Sequence, residues 1–157
     1  MGMASVLVVE DDGDLRAVLA RALHRAGHDV TEAADGAIAL ARLDQGDSFD
    51  LILTDLEMPG RSGLEVIAAG KRAGRARPVI AMSGKGRPIG VGLDIARRAG
   101  ADAVLAKPFR LSAMRGLAER LLAGRRPPRH STQQTWRTLP MVMPPDLLGA
   151  KVGRAAG

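Results

Sequence analysis

Val6-Leu7-Val8-Val9-Glu10-Asp11-Asp12 reads as a short apolar strand that stops at three acids. An apolar run without alternation is the pattern of a strand buried on both faces, as in a parallel sheet covered by helices. The pattern recurs three times. Leu51-Ile52-Leu53-Thr54 ends at Asp55, Val79-Ile80-Ala81-Met82 ends at Ser83, and Ala103-Val104-Leu105-Ala106 ends at Lys107. In an open α/β sheet, ligands bind in the crevice beyond the carboxyl ends of the strands, so neighbouring parallel strands would bring these polar termini together. Two or three carboxylates, a hydroxyl and an ammonium around one small volume suit a hard divalent cation and a phosphoryl group.

Between the strands the apolar residues shift to helical spacing. Leu15, Val18, Leu19, Ala22 and Leu23 fall at i, i+3, i+4, i+7 and i+8, and Gly27 is placed to end that helix. A short strand follows over 29–33, and a second helix spans about 36–43, stopping before Gly46. Ser62, with Glu65 three residues on, forms a capping box that starts a third helix, closed by Gly74. The glycine-rich connection Gly84-Lys85-Gly86-Arg87-Pro88-Ile89-Gly90 postpones the fourth helix to 93–99. Leu111, Met114, Leu117, Ala118, Leu121 and Leu122 mark a fifth. This alternation predicts an α/β fold with five β-α units complete by about Ala123.

Composition narrows the function classes. A chain of 157 residues suffices for one domain with a sizeable core and is short for two. Cysteine is absent, which excludes a disulfide framework, a thiol nucleophile and a thiolate metal site. The longest apolar stretches are of strand length and nothing near Met1 resembles a signal peptide, so the expectation is a soluble, cytoplasmic protein. The net charge of +6 is unevenly spread: residues 1–123 carry 17 Lys+Arg against 16 Asp+Glu, and residues 124–157 carry 6 against 1. The part expected to fold is nearly neutral. The excess lies in a Pro/Gly/Arg-rich segment, where basic residues more often keep a chain solvated than read DNA.

Glu10-Asp11-Asp12, then Asp55 with Met58-Pro59-Gly60 shortly after, then Ser83-Gly84, then Lys107-Pro108-Phe109, together resemble the receiver domain of bacterial two-component response regulators. The resemblance covers roughly residues 4–123 and rests on separate motifs in the right order, none sufficient alone. It implies a doubly wound, five-stranded parallel sheet in the flavodoxin-like order 2-1-3-4-5, with five flanking helices. It further implies a receiver domain over 1–123 and a basic tail over 124–157, as in a stand-alone regulator of the chemotaxis type.

The same resemblance implies roles for the site residues. Asp55 would be the phosphoacceptor, its carboxylate attacking a phosphohistidine on a sensor histidine kinase or phosphotransfer protein. Asp12 and Asp55 would ligate Mg²⁺ together with the backbone carbonyl of Glu57, and Asp11 would hold a metal-bound water. A capping role for Asp11 or Asp12 at the first helix is the plainer alternative and is compatible with metal binding. Lys107 would pair with Asp55 and later with a phosphoryl oxygen, Pro108 would follow a cis bond, and Ser83 would donate a hydrogen bond to the phosphoryl group. A solvated lysine and an ordinary strand-end serine are the corresponding plain readings. Glu57 and Lys85 fall at the mouth of the site, where an ion pair between them would slow hydrolysis.

One residue departs from the family. Many receivers carry Tyr or Phe three residues before the lysine, and here that position is Val104, in a chain without tyrosine. The expected output face is helix four, strand five and helix five, toward an unidentified protein target. In the tail, Trp136, Leu139, Met141, Val142, Met143, Leu147 and Leu148 cluster, which fits a docking segment, with plain disorder as the alternative. Such a protein catalyses its own phosphorylation and dephosphorylation and acts on no external metabolite. A pseudo-receiver that only binds a partner, and a DNA-associated regulator using the basic tail, are the competing functions. Monomer and phosphorylation-dependent dimer both remain open.

Overall fold

The computed structural model describes residues 2–72, 78–84 and 89–124. Its elements follow in the order β1 (Ser5–Val9), α1 (Gly13–Arg25), β2 (Asp29–Ala33), α2 (Gly36–Asp44), β3 (Leu51–Asp55), α3 (Gly63–Arg72), β4 (Val79–Ser83), α4 (Ile89–Ala99), β5 (Ala103–Ala106) and α5 (Leu111–Leu122). The strands form one parallel sheet in the order β2-β1-β3-β4-β5, the arrangement the sequence implies.

The apolar runs look continuous because alternate residues face opposite helical layers. Val6, Val8, Leu51, Leu53, Ile80, Met82, Ala103 and Leu105 pack with Leu19 and Leu23 of α1 and with Met114, Leu117, Ala118 and Leu121 of α5. Leu7, Val9, Ile52, Val79, Ala81 and Val104 pack on the other face with α2, α3 and α4 through Ala39, Leu43, Val66, Ile67 and Ala96. Each of β1, β3, β4 and β5 thus separates two cores. Shifting its register by one residue would exchange every side chain between them.

Loop chemistry closes the helices. Gly27 follows α1 at φ 90°, a left-handed conformation that glycine adopts without a Cβ penalty. At the start of α3, the Glu65 carboxylate accepts from the Ser62 N–H at 2.9 Å, one half of the capping box the sequence predicts. Away from the site, Asp102 ties three elements together. Its Oδ2 accepts from the Val79 N–H at 2.8 Å and pairs with Lys71 of α3.

The difference from the sequence reading is at α4, which begins at Ile89 rather than 93. Gly90 and Gly92 lower helix propensity by about 1 kcal/mol each, which hides the first turn from a pattern search. Packing of α4 against the sheet overrides that preference. Three expectations fall on residues outside those described: the closure of α3 by Gly74, a Glu57–Lys85 ion pair, and the tail beyond Gly124.

Candidate acidic site at the carboxyl edge of the sheet

The register of the sheet sets the site. Asp55 pairs with Met82 and Ser83 with Ala106, so the ends of β3, β4 and β5 lie side by side. Backbone bonds continue the pairing past the strands, with Leu56 N–H donating to Met82 O at 2.9 Å and Lys107 N–H to Ser83 O at 2.7 Å. Behind Asp55, α3 begins at a residue that has to be glycine. A Cβ on Gly63 would lie 1.8 Å from the Asp55 carbonyl oxygen, so the helix start rests directly on the strand end.

Asp55 is 4% exposed and Glu10 1% exposed, although both are acids. Buried carboxylates need partners, and Lys107 supplies one ammonium to both. Its Nζ lies 2.7 Å from Glu10 Oε2 and 3.1 Å from Asp55 Oδ2, with a side chain 21% exposed. The Lys107–Pro108 peptide bond is cis, as the resemblance implies. Burial is the largest influence on Glu10 and raises its pKa; the Asp55 charge adds to that rise, while the Lys107 hydrogen bond and charge oppose it. For Lys107, burial is again the largest single influence and acts downward. The Glu10 hydrogen bond and the Asp55 and Glu10 charges together outweigh it, and its pKa is raised.

Glu10, Asp11 and Asp55 bring carboxylate oxygens within 4.8 Å of one another. The donor set is all oxygen and anionic, which fits a hard divalent cation such as Mg²⁺. The three acids after β1 take different positions. Asp12, expected on the ion, is the N-cap of α1, with Oδ1 accepting from Asp14 N–H at 3.0 Å and Leu15 N–H at 3.1 Å. Asp11, expected to hold a metal-bound water, lies with Glu10 and Asp55 in the acidic cluster. The cause is the position of the strand end: β1 stops at Val9, so Glu10 and Asp11 extend over the sheet edge while Asp12 already belongs to the helix start.

Glu10, which the sequence reading left without a role of its own, is the buried partner of Lys107 at this edge. Arg16 holds it from behind, its Nη1 donating to the Glu10 carbonyl at 2.8 Å while its Nε pairs with Glu32 of β2 at 3.3 Å. Glu57 borders the pocket on the other side. Its N–H donates to Asp55 Oδ1 at 3.3 Å, its Oε2 accepts from Gly84 N–H at 3.3 Å, and its Oε1 is buried with no hydrogen-bond partner among the described residues. Ser83 also stands at this edge, but its hydroxyl lies against α4.

A doubly wound sheet whose carboxyl edge gathers acids, a hydroxyl and a half-buried lysine defines the class of signalling receivers with a cation-dependent acidic pocket. The profile of the response regulator receiver domain matches residues 6–119, and the chain belongs to that family. It is 42% identical over 108 residues to the transcriptional regulatory protein TcrA of Mycobacterium tuberculosis, covering 68% of this chain and 41% of TcrA. It is 37% identical over 121 residues to the response regulator receiver protein CpdR of Brucella abortus, covering 76% of this chain and 98% of CpdR. Among solved structures, the chemotaxis response regulator CheY4 of Vibrio cholerae superposes with a TM-score of 0.66 at 30% identity, covering 76% of this chain and 98% of CheY4. The chain therefore spans about two-fifths of the length of TcrA and nearly all of CpdR. As a receiver domain it is part of two-component, phosphorylation-based signalling, a family trait that includes Mg²⁺ at an acidic pocket and phosphoryl transfer from histidine kinases or phosphotransfer proteins. Among the described residues, no helix is long and apolar enough to cross a membrane.

Proposed function

We propose that this chain is a single-domain, cytoplasmic response regulator, with its receiver over 1–123 and a basic segment over 124–157, that accepts a phosphoryl group on Asp55. The observation that carries the reading is the buried Asp55 carboxylate with Lys107 Nζ 3.1 Å away, at the end of the central strand. An oxygen of Asp55 attacks the phosphorus of a phosphohistidine; the P–N bond breaks, and the electron pair leaves on the imidazole nitrogen. Lys107 passes from the carboxylate to a phosphoryl oxygen, while Glu10 keeps the ammonium oriented. The Glu57 N–H, now on Asp55 Oδ1, and the Ser83 hydroxyl donate to the phosphoryl group.

Asp11 and Asp55, with the Glu57 carbonyl, would hold Mg²⁺, and Glu10 shapes the pocket behind them. When bound, Mg²⁺ offsets charge on the carboxylate and on the phosphoryl oxygens. The output is a protein contact with an unidentified target through α4, β5 and α5. Intact-mass spectrometry after incubation with Mg²⁺ and acetyl phosphate tests the assignment. A single phosphoryl adduct, lost with Asp55→Asn and with chelator, is expected; an adduct that persists in Asp55→Asn overturns it.

A further inference from the structure

α4 crosses the end of β4 at a residue with no side chain. Gly92 is buried, and a Cβ built on it would lie 2.7 Å from Ser83 Oγ and 3.6 Å from Ser83 Cβ. A carbon and a nonbonded oxygen do not approach that closely without something giving way, so the Ser83 hydroxyl fills the space a side chain would take. A buried glycine inside a helix costs about 1 kcal/mol relative to alanine unless a close approach requires it. Here the gap has an occupant. The neighbouring strand offers no large movable ring: Val104 is buried in the same core layer as Ala81 and Ala96 and is stiff about χ1.

We propose that the gap at Gly92 is the resting seat of the Ser83 hydroxyl, and that Gly92 is a positioning residue that sets how often this hydroxyl is available to a phosphoryl group on Asp55. The proposal rests on the reading of Asp55 as phosphoacceptor. Ser83 rotates among staggered wells. In one the hydroxyl lies in the gap on α4; in another it turns toward the edge where Asp55 and Lys107 meet. When it leaves, α4 loses its contact with the hydroxyl at Gly92 and can settle on β4. The helix thus senses the state of Ser83 directly, without a relay through β5, which accounts for how a receiver with Val104 couples its site to its surface.

The test is a double-mutant cycle on the full chain: phosphorylation rates with acetyl phosphate and Mg²⁺ for wild type, Gly92→Ala, Ser83→Ala and the pair, with the Ser83 χ1 rotamer measured by NMR coupling constants in the unphosphorylated proteins. Alanine is the better helix former, so Gly92→Ala is not expected to fail by unfolding. Blocking the seat should move Ser83 to another rotamer and raise the phosphorylation rate about threefold or more by enlarging the competent fraction. In the Ser83→Ala background the same change should fall below about 1.5-fold, because the coupling runs through the hydroxyl. An unchanged χ1, an unchanged or slower rate, or an equal effect in both backgrounds overturns the proposal. A wild type that takes no phosphoryl group while χ1 still shifts would overturn the Asp55 reading and Gly92's role in it, and would show the seat alone.

Discussion

Replacing Lys107 with alanine leaves the Glu10 and Asp55 carboxylates facing each other without the cation that now lies between them. At 2.7 Å and 3.1 Å, each contact corresponds to about 6 and about 5 kcal/mol of Coulomb attraction at an effective dielectric of about 20. Desolvation of the ammonium and the ordering of its long side chain offset most of that. What remains after truncation is the cost of stranding buried charge, about 3–5 kcal/mol for a fully buried pair. The 21% exposure of the Lys107 side chain places this site at the lower end, so Lys107→Ala should lose about 3 kcal/mol. Urea unfolding monitored by circular dichroism should show its midpoint lowered by about 1.5–2 M for a typical m-value. Mg²⁺ supplies positive charge to the same acids, and a ligand at a hundred times its Kd stabilises by about 2.7 kcal/mol. The variant, with one more uncompensated charge, should therefore gain more from Mg²⁺ than wild type does. A midpoint within about 0.3 M of wild type, or equal Mg²⁺ stabilisation of both proteins, would refute the account of the ammonium as the shared counter-charge.

Three other outcomes follow from the geometry. Asp12→Ala should cost about 1 kcal/mol of stability through the lost N-cap while changing Mg²⁺ affinity little, whereas Asp11→Ala should weaken Mg²⁺ binding tenfold or more, roughly one lost carboxylate ligand; calorimetric titration and thermal melts separate the two. Asp102→Ala removes the acceptor of the Val79 N–H and the partner of Lys71, and thermal unfolding should report a loss of about 2–3 kcal/mol. The raised pKa of Lys107 means that its contribution is complete below the ordinary value of 10.5 and disappears as pH climbs through the higher folded value. Urea midpoints in alkaline buffer should consequently fall more steeply for wild type than for Lys107→Ala.

The strands were legible because burial on both faces forces unbroken runs such as Leu51-Ile52-Leu53, and their polar ends marked the functional edge. Helices α1 and α5 showed apolar stripes because one face of each packs on the sheet, although Val18 and Leu111, counted in those stripes, are exposed. The first turn of α4 was hidden because glycine signals a break in local statistics, while here it permits a close approach that only the folded chain reveals. The division among Glu10, Asp11 and Asp12 was illegible on similar grounds. Three consecutive acids look alike in a sequence, and a single residue in the position of the strand end decides which faces the site and which caps a helix. Glu10 in particular is defined by Lys107, nearly a hundred positions away, and no local pattern carries such a pairing.

The start of α3 rests through Gly63 directly on the Asp55 carbonyl, while α4, on the same face of the sheet, meets β4 at Gly92 through nothing larger than the Ser83 hydroxyl. The molecule is consequently lopsided as an indicator. On the proposal that Gly92 seats the Ser83 hydroxyl, an antibody fragment raised against the α2–α3 side should count how many copies of the protein are present, and one raised against α4 should count how many are switched on.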